Sequence, residues 1–203
     1  LNYRGEGWSD GWWASCTPVK TSHINGLNNG KKLTFVTSIG CGVAMFTTTG
    51  DANCFGEAWI ELGTPTQPRG GVAFVGPTSN THTTYNNYLD KGIYIGMFRE
   101  GLDSPGEALL RGKLHMYSVF GNTIAVEHHF KIYCVLGDPS IHIWKDTPNP
   151  VIVTRPDSIY IGLNQVQISV KDSVSGLPIF NARVCINGNN IFEVENTDST
   201  GNA

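Results

Sequence analysis

One cysteine sits between two glycines at the end of an apolar run, in Ser38-Ile39-Gly40-Cys41-Gly42. A thiolate at such a place is a nucleophile toward a carbonyl carbon. The bare backbone on either side would let amide N–H groups reach a developing oxyanion. The residues alone leave Cys41 open between that role and an inert thiol. Free cysteine titrates near ~8.5, so a thiolate at neutral pH needs a base or a cationic neighbour. His82, in the loop Thr81-His82-Thr83-Thr84, is the best candidate base, because that loop would rim the same sheet edge. His23 reads as a surface residue and His128-His129 as structural residues ahead of an apolar stretch, while His115 and His142 show no partner pattern. Trp8, Trp12 and Trp13 flank Asp10-Gly11 and read either as a peptide- or glycan-binding surface or as a packed loop over the sheet edge.

The elements that must hold these groups follow from periodicity. Ile24 and Leu27, entered from Thr21 or Ser22, predict a short amphipathic helix over residues 20–29. Leu33 to Ile39 is rich in β-branched and aromatic residues and predicts a buried strand, which would leave Cys41 at its carboxyl end. In open α/β sheets that edge is where ligands bind. Cys54 to Leu62 predicts a helix stopped by Gly63, and Gly71 to Gly76 a second buried strand. Helical spacing returns over Tyr85–Glu100 and Ser104–Tyr117, and an apolar stretch over Phe130–Leu136 leads to the Gly137-Asp138-Pro139 turn. This alternation predicts a mostly parallel sheet with helical crossovers. Around Pro148-Asn149-Pro150 the pattern changes to short strands at Val151–Thr154, Ser158–Ile161, Val166–Val170 and Ala182–Ile186, with Asn187-Gly188 as a hairpin signal.

Composition narrows the function classes. The 203 residues carry a net charge of −3 with 15% charged side chains, so no basic face for nucleic acid is implied. No apolar run reaches the roughly 18–20 residues that span a bilayer. Twenty-four glycines suit a loop-rich extracellular protein. The five cysteines, Cys16, Cys41, Cys54, Cys134 and Cys185, form no CxxC pair and no regular disulfide framework. The start at Leu1 and the end at Thr-Gly-Asn-Ala suggest a piece of a longer precursor with further domains.

Five motifs in order resemble the gingipain family of cysteine peptidases. Asn2-Tyr3-Arg4-Gly5-Glu6-Gly7-Trp8 is similar to the family strand ending in Asn-Tyr-x-Gly-His-Gly. The Cys41 segment, Cys54-Phe55-Gly56-Glu57-Ala58, the run Val72–Asn80 and Val135-Leu136-Gly137-Asp138-Pro139-Ser140 follow as in that family. The resemblance implies a caspase-like α/β core over residues 1–147, without its upstream part, and a truncated immunoglobulin-like β-sandwich over 148–203. It implies Cys41 as nucleophile, the N–H groups of Gly7 and Cys41 as oxyanion donors, and a substrate pocket including Thr78, Asn80, Thr83 and Tyr85. Peptide or protein would be the substrate and the outer cell surface or medium the location. No cofactor is required, and a structural calcium would draw on Asp51, Asn53 and Glu57. Asp10 and Asp51 are the carboxylates available to a pocket floor.

One position departs from the family. Glu6 stands where gingipains carry their catalytic histidine. A carboxylate raises a neighbouring thiol's pKa where an imidazolium lowers it. Three expectations therefore stand together: an inactive domain kept for binding or surface structure, a replacement base such as His82, or Glu6 acting on Cys41 directly.

Overall fold

A computed structural model describes residues 1–13, 16–47, 53–158, 162, 165–188 and 191–203. The chain divides into two units, Leu1–Lys145 and Asp146–Ala203.

The first unit begins with β1 (Asn2–Arg4), then three two-residue strands, β2 (Gly7–Trp8), β3 (Gly11–Trp12) and β4 (Val19–Lys20), and helix α1 (Thr21–Asn25). Next come β5 (Thr34–Ile39), α2 (Phe55–Ile60), β6 (Gly71–Pro77), α3 (Thr83–Arg99), α4 (Pro105–Phe120), α5 (Ile124–Ile132) and β7 (Tyr133–Gly137). The main sheet has the order β1-β5-β6-β7. β1, β5 and β6 run parallel, and β7 closes the row antiparallel to β6. The predicted mostly parallel sheet with flanking helices is thus present. β2, β3 and β4 form a small antiparallel sheet of their own.

Alternation along the strands splits the core into two layers. Phe35, Ile39, Ala73 and Val75 pack with Leu89, Ile93, Leu109 and Met116 of α3 and α4. Val36 and Phe74 turn to the other face, against Trp12, Phe55 and Trp59. Each layer also carries a polar tie from β5: Thr37 Oγ1 lies 2.8 Å from the Tyr94 hydroxyl, and Trp12 Nε1 donates to Ser38 Oγ at 2.7 Å. The sheet is therefore clamped from both sides just before Cys41.

The apolar run divides: His128 and His129, which precede it, lie on α5, the helix continues to Ile132, and Tyr133–Gly137 is strand. The helix starts because Thr123 caps it, accepting from Val126 N at 3.3 Å, and a Lys131–Glu127 pair at 2.6 Å supports it one turn on. Its β-branched, aromatic composition favours a strand locally, and packing overrides that preference.

In the second unit β8 (Val151–Thr154) pairs antiparallel with β9 (Ser169–Asp172), and β10 (Arg183–Gly188) with β11 (Ile191–Asn196). Asn187 and Gly188 are the last paired residues of β10 rather than the turn, and the connecting residues 189–190 lie outside the described set. The strand expected at Val166–Val170 begins at Ser169, with Ile168 and Val170 buried. Residues 159–161 of the strand expected at Ser158 lie outside the described residues. Among the described residues no helix is long and apolar enough to cross a membrane.

Candidate active site

Because β1, β5 and β6 are parallel, their carboxyl ends meet at one edge, which brings together Gly5-Glu6-Gly7, Gly40-Cys41-Gly42 and Thr78–His82. The outgoing chains stay paired there: Gly5 N donates to Ile39 O at 3.2 Å, Gly42 N to Ser79 O at 3.0 Å and Ala44 N to Pro77 O at 3.0 Å. The glycines beside Cys41 have a packing reason. A Cβ on Gly40 would sit 2.6 Å from the Gly5 carbonyl oxygen. Gly42 has φ +57°, and its Cβ would lie 2.7 Å from the Trp8 ring.

Cys41 is half-buried, and its hydrogen-bonding neighbour is Thr81. Thr81 N donates to Cys41 Sγ at 3.4 Å, and Thr81 Oγ1 lies 3.5 Å from the sulfur. Among the described residues no partner takes the N–H of Cys41. Gly7 faces Trp12 across β2 and β3, and Trp13 N donates to Glu6 O at 2.8 Å. That bond makes Gly7–Trp12 the non-hydrogen-bonded pair of the ladder, so the Gly7 amide turns away from β3. Its nitrogen would stand 3.7 Å from a Cβ at Gly40. Among the described residues neither the Gly7 nor the Cys41 amide has a main-chain acceptor.

The candidate bases sit differently. Glu6 is exposed, and its backbone carbonyl also accepts the Tyr3 hydroxyl at 2.8 Å. The His82 ring packs toward Tyr85 and His129, with centroids 6.4 and 6.3 Å apart. Among the described residues neither the Glu6 carboxylate nor the His82 ring hydrogen-bonds Cys41.

The pocket segment is built by α5, a contribution the residue pattern did not reveal. His128 Nε2 donates to Asn80 O at 2.9 Å, and His129 Nε2 accepts from His82 N at 3.1 Å while its Nδ1 donates to Ala125 O at 2.7 Å. That pair of bonds fixes a neutral imidazole, and burial holds His129 below the usual histidine range. Thr78 N donates to Ile132 O at 2.9 Å. Thr83 starts α3, and its carbonyl accepts from Arg4 at 3.4 Å. Tyr85 packs its ring on Phe120 and His129, at 4.8 and 5.0 Å.

Other singled-out residues have structural partners. Asp10 binds Lys20 at 2.5 Å and Trp13 Nε1 at 2.9 Å. Trp12 stacks on Tyr3 at 4.4 Å inside the core, while Trp8 covers Gly42 and Trp13 is exposed. The Glu57 carboxylate accepts the Cys54 N–H at 2.7 Å, Asn53 donates to Glu61, and Asp51 lies outside the described residues. Among the described residues no three His, Cys, Asp or Glu side chains gather closely enough to hold a metal ion. His23 accepts from Lys20 N at 2.9 Å, and His142 pairs with Asp103 at 3.0 Å. Burial pushes the Cys54 thiol up to about 12, so it stays protonated. A cavity of about 560 Å³ lined by Thr34, Phe35, Val72 and Met97 opens at the amino ends of β5 and β6, the edge opposite Cys41.

The arrangement resembles known proteins in sequence and in shape. A family model described as peptidase family C25 matches residues 1–144. The crystal structure of the Arg specific cysteine proteinase gingipain R (RGPB) superposes with a TM-score of 0.67 at 21% identity, over 83% of this chain and 39% of that one. A structure described as a protease gives a TM-score of 0.72 at 20% identity, over 99% of this chain and 46% of that one. The complex of Porphyromonas gingivalis RgpB pro- and mature domains gives 0.66 at 22%, over 83% and 40%. The chain spans less than half the length of each of these structures. No curated protein matches it by sequence.

Proposed function

Because the chain belongs to peptidase family C25, we propose that residues 1–147 are the nucleophile-bearing part of a secreted or surface-held gingipain-like cysteine endopeptidase domain. The module from residue 148 is then an immunoglobulin-like domain, joined to further domains of one precursor. Peptide or protein is the substrate. In the proposed reaction the Cys41 sulfur bonds to the scissile carbonyl carbon while the thiol proton leaves to a base. The amide N–H groups of Gly7 and Cys41 receive the oxyanion. The C–N bond then breaks, the amine departs with a proton, and water releases the acyl group. Thr78, Asn80, Thr83 and Tyr85 line the pocket in this reading, and Glu6 or His82 supplies the base. No cofactor takes part, and a calcium ion drawing on Asp51, Asn53 and Glu57 would only brace the loop before α2.

The observation that carries the reading is the placement of Cys41 Sγ at the carboxyl edge of the sheet, with Thr81 N at 3.4 Å donating to it. A specific observation favours a second reading, an inactive binding or surface module: Glu6 is exposed, and among the described residues no imidazole hydrogen-bonds the sulfur. Hydrolysis of a mixed fluorogenic peptide library separates the two. The peptidase reading expects turnover that Cys41→Ala abolishes and that Glu6→His raises by about 10²-fold or more, the contribution of a positioned general base. Turnover absent in the wild-type chain and in Glu6→His would leave the inactive module.

A further inference from the structure

The geometry points to Thr81 and Asn86 as positioning residues that set the ionisation of Cys41 through a buried hydrogen-bond chain anchored at Tyr133; this rests on the reading of Cys41 as the nucleophile. The Tyr133 hydroxyl donates to Asn86 Oδ1 at 2.8 Å, and Asn86 Nδ2 donates to Thr81 Oγ1 at 2.7 Å. Thr81 Oγ1 in turn donates to Gly40 O at 2.8 Å, the carbonyl just before the cysteine. The carbonyl oxygens of Gly40 and of the Asn86 amide can only accept, and this gives the chain its direction from Tyr133 to Gly40. Asn86 and Tyr133 are 5% and 2% exposed, and a buried network of this kind holds its members in place only while every bond is made.

The consequence falls on the sulfur. With the Thr81 hydroxyl donating to Gly40 O, Thr81 presents to Cys41 its main-chain N–H at 3.4 Å and two acceptors, the Oγ1 lone pair at 3.5 Å and its carbonyl oxygen at 3.9 Å. The thiol can donate to either oxygen, while the thiolate accepts from the N–H. A donor aimed at the charged form favours it. Among the described residues this amide is the N–H that donates to the sulfur. The segment is gripped on both flanks, His128 holding Asn80 O and His129 holding His82 N. The titratable and charged groups around it are Tyr133, His82, His128, His129, Arg4, Asp90 and Glu6. Burial, and next the charge of Cys41, raise the Tyr133 phenol, which keeps it a donor to Asn86.

The test is the rate of iodoacetamide alkylation at Cys41 in the full chain, read by peptide mass spectrometry. Rates near neutral pH are divided by rates at about pH 10, above the ordinary range of an accessible thiol, where mainly access differs. Thr81→Val, and separately the Asn86→Leu/Tyr133→Phe pair, are expected to lower that ratio about tenfold, while Thr81→Ser keeps it near the native value. The paired variant removes both partners of a buried bond and strands neither, so it stands in if Thr81→Val fails to fold. Unchanged ratios in folded Thr81→Val and in the paired variant would overturn the inference. A chain that shows the shifted ratios yet cleaves no peptide refutes the peptidase reading alone, and one that cleaves peptides with unchanged ratios refutes the positioning role alone.

Discussion

At the residue scale the environment of each thiol decides what it can do. Cys54 is fully buried and its thiol is pushed up to about 12, whereas Cys41 is half-buried beside an N–H donor. Alkylation of the native chain near pH 8 is therefore expected to modify Cys41 and spare Cys54, and peptide mapping checks it; comparable labelling of both would contradict this assignment. The glycines around Cys41 carry a stability prediction. Gly42→Ala must place a Cβ at φ +57° and 2.7 Å from the Trp8 ring. The expected cost is about 1–3 kcal/mol in a urea titration, from backbone strain and overpacking together. That glycines flank the thiol was plain in the sequence, but their reason was not. Close approach of Gly5 and Trp8 comes from strand neighbours more than thirty positions away in the chain, which no local pattern records.

At the element scale, strands and helices with clear periodicity were legible. β5, β6, α3 and α4 all fall where the apolar spacing predicts them. α5 was not, because the sequence shows only an apolar stretch over Phe130–Leu136 there, while the signals for helix were a lone Thr123 cap and one Glu127–Lys131 pair. This helix matters most for the pocket loop, since His128 and His129 hold Asn80 and His82 through backbone atoms. Those contacts predict a pH dependence. Burial lowers the pKa of His129 in the folded chain, so on acidification the unfolded chain takes up its proton first, near ~6.5. The stability that the neutral ring provides is complete above that pH and is lost as pH falls toward the lower folded-state value. Urea midpoints of the wild type should fall between about pH 7.5 and pH 5.5 more steeply than those of His129→Gln. Equal slopes would show that His129 does not couple the loop to protonation. Likewise Thr123→Ala should cost about 1 kcal/mol through the lost cap.

At the scale of the whole molecule, the change in pattern near Pro148 and the two units Leu1–Lys145 and Asp146–Ala203 fall at nearly the same place. The exposed run from Asp146 to Pro150 has no regular structure. Limited digestion with a broad-specificity protease is expected to cut there before it cuts α3 or α4, and early cleavage inside those helices would contradict the division. Family membership was legible because five short motifs keep their order along the chain, although only those around Glu6, Cys41 and Thr78–Asn80 meet at the carboxyl edge of the parallel strands, while Val135–Ser140 ends the antiparallel β7. The hydrogen-bond chain from Tyr133 to Thr81 was not, because its members lie up to 47 residues apart and need the fold to meet. The account as a whole depends on Cys41 being an attacking group. Incubation with a peptidyl acyloxymethyl ketone, followed by peptide mapping, tests it most directly. The account predicts a single covalent adduct on Cys41 that is absent from Cys41→Ser; an unmodified Cys41, or adducts confined to the exposed Cys16 and Cys185, would contradict it.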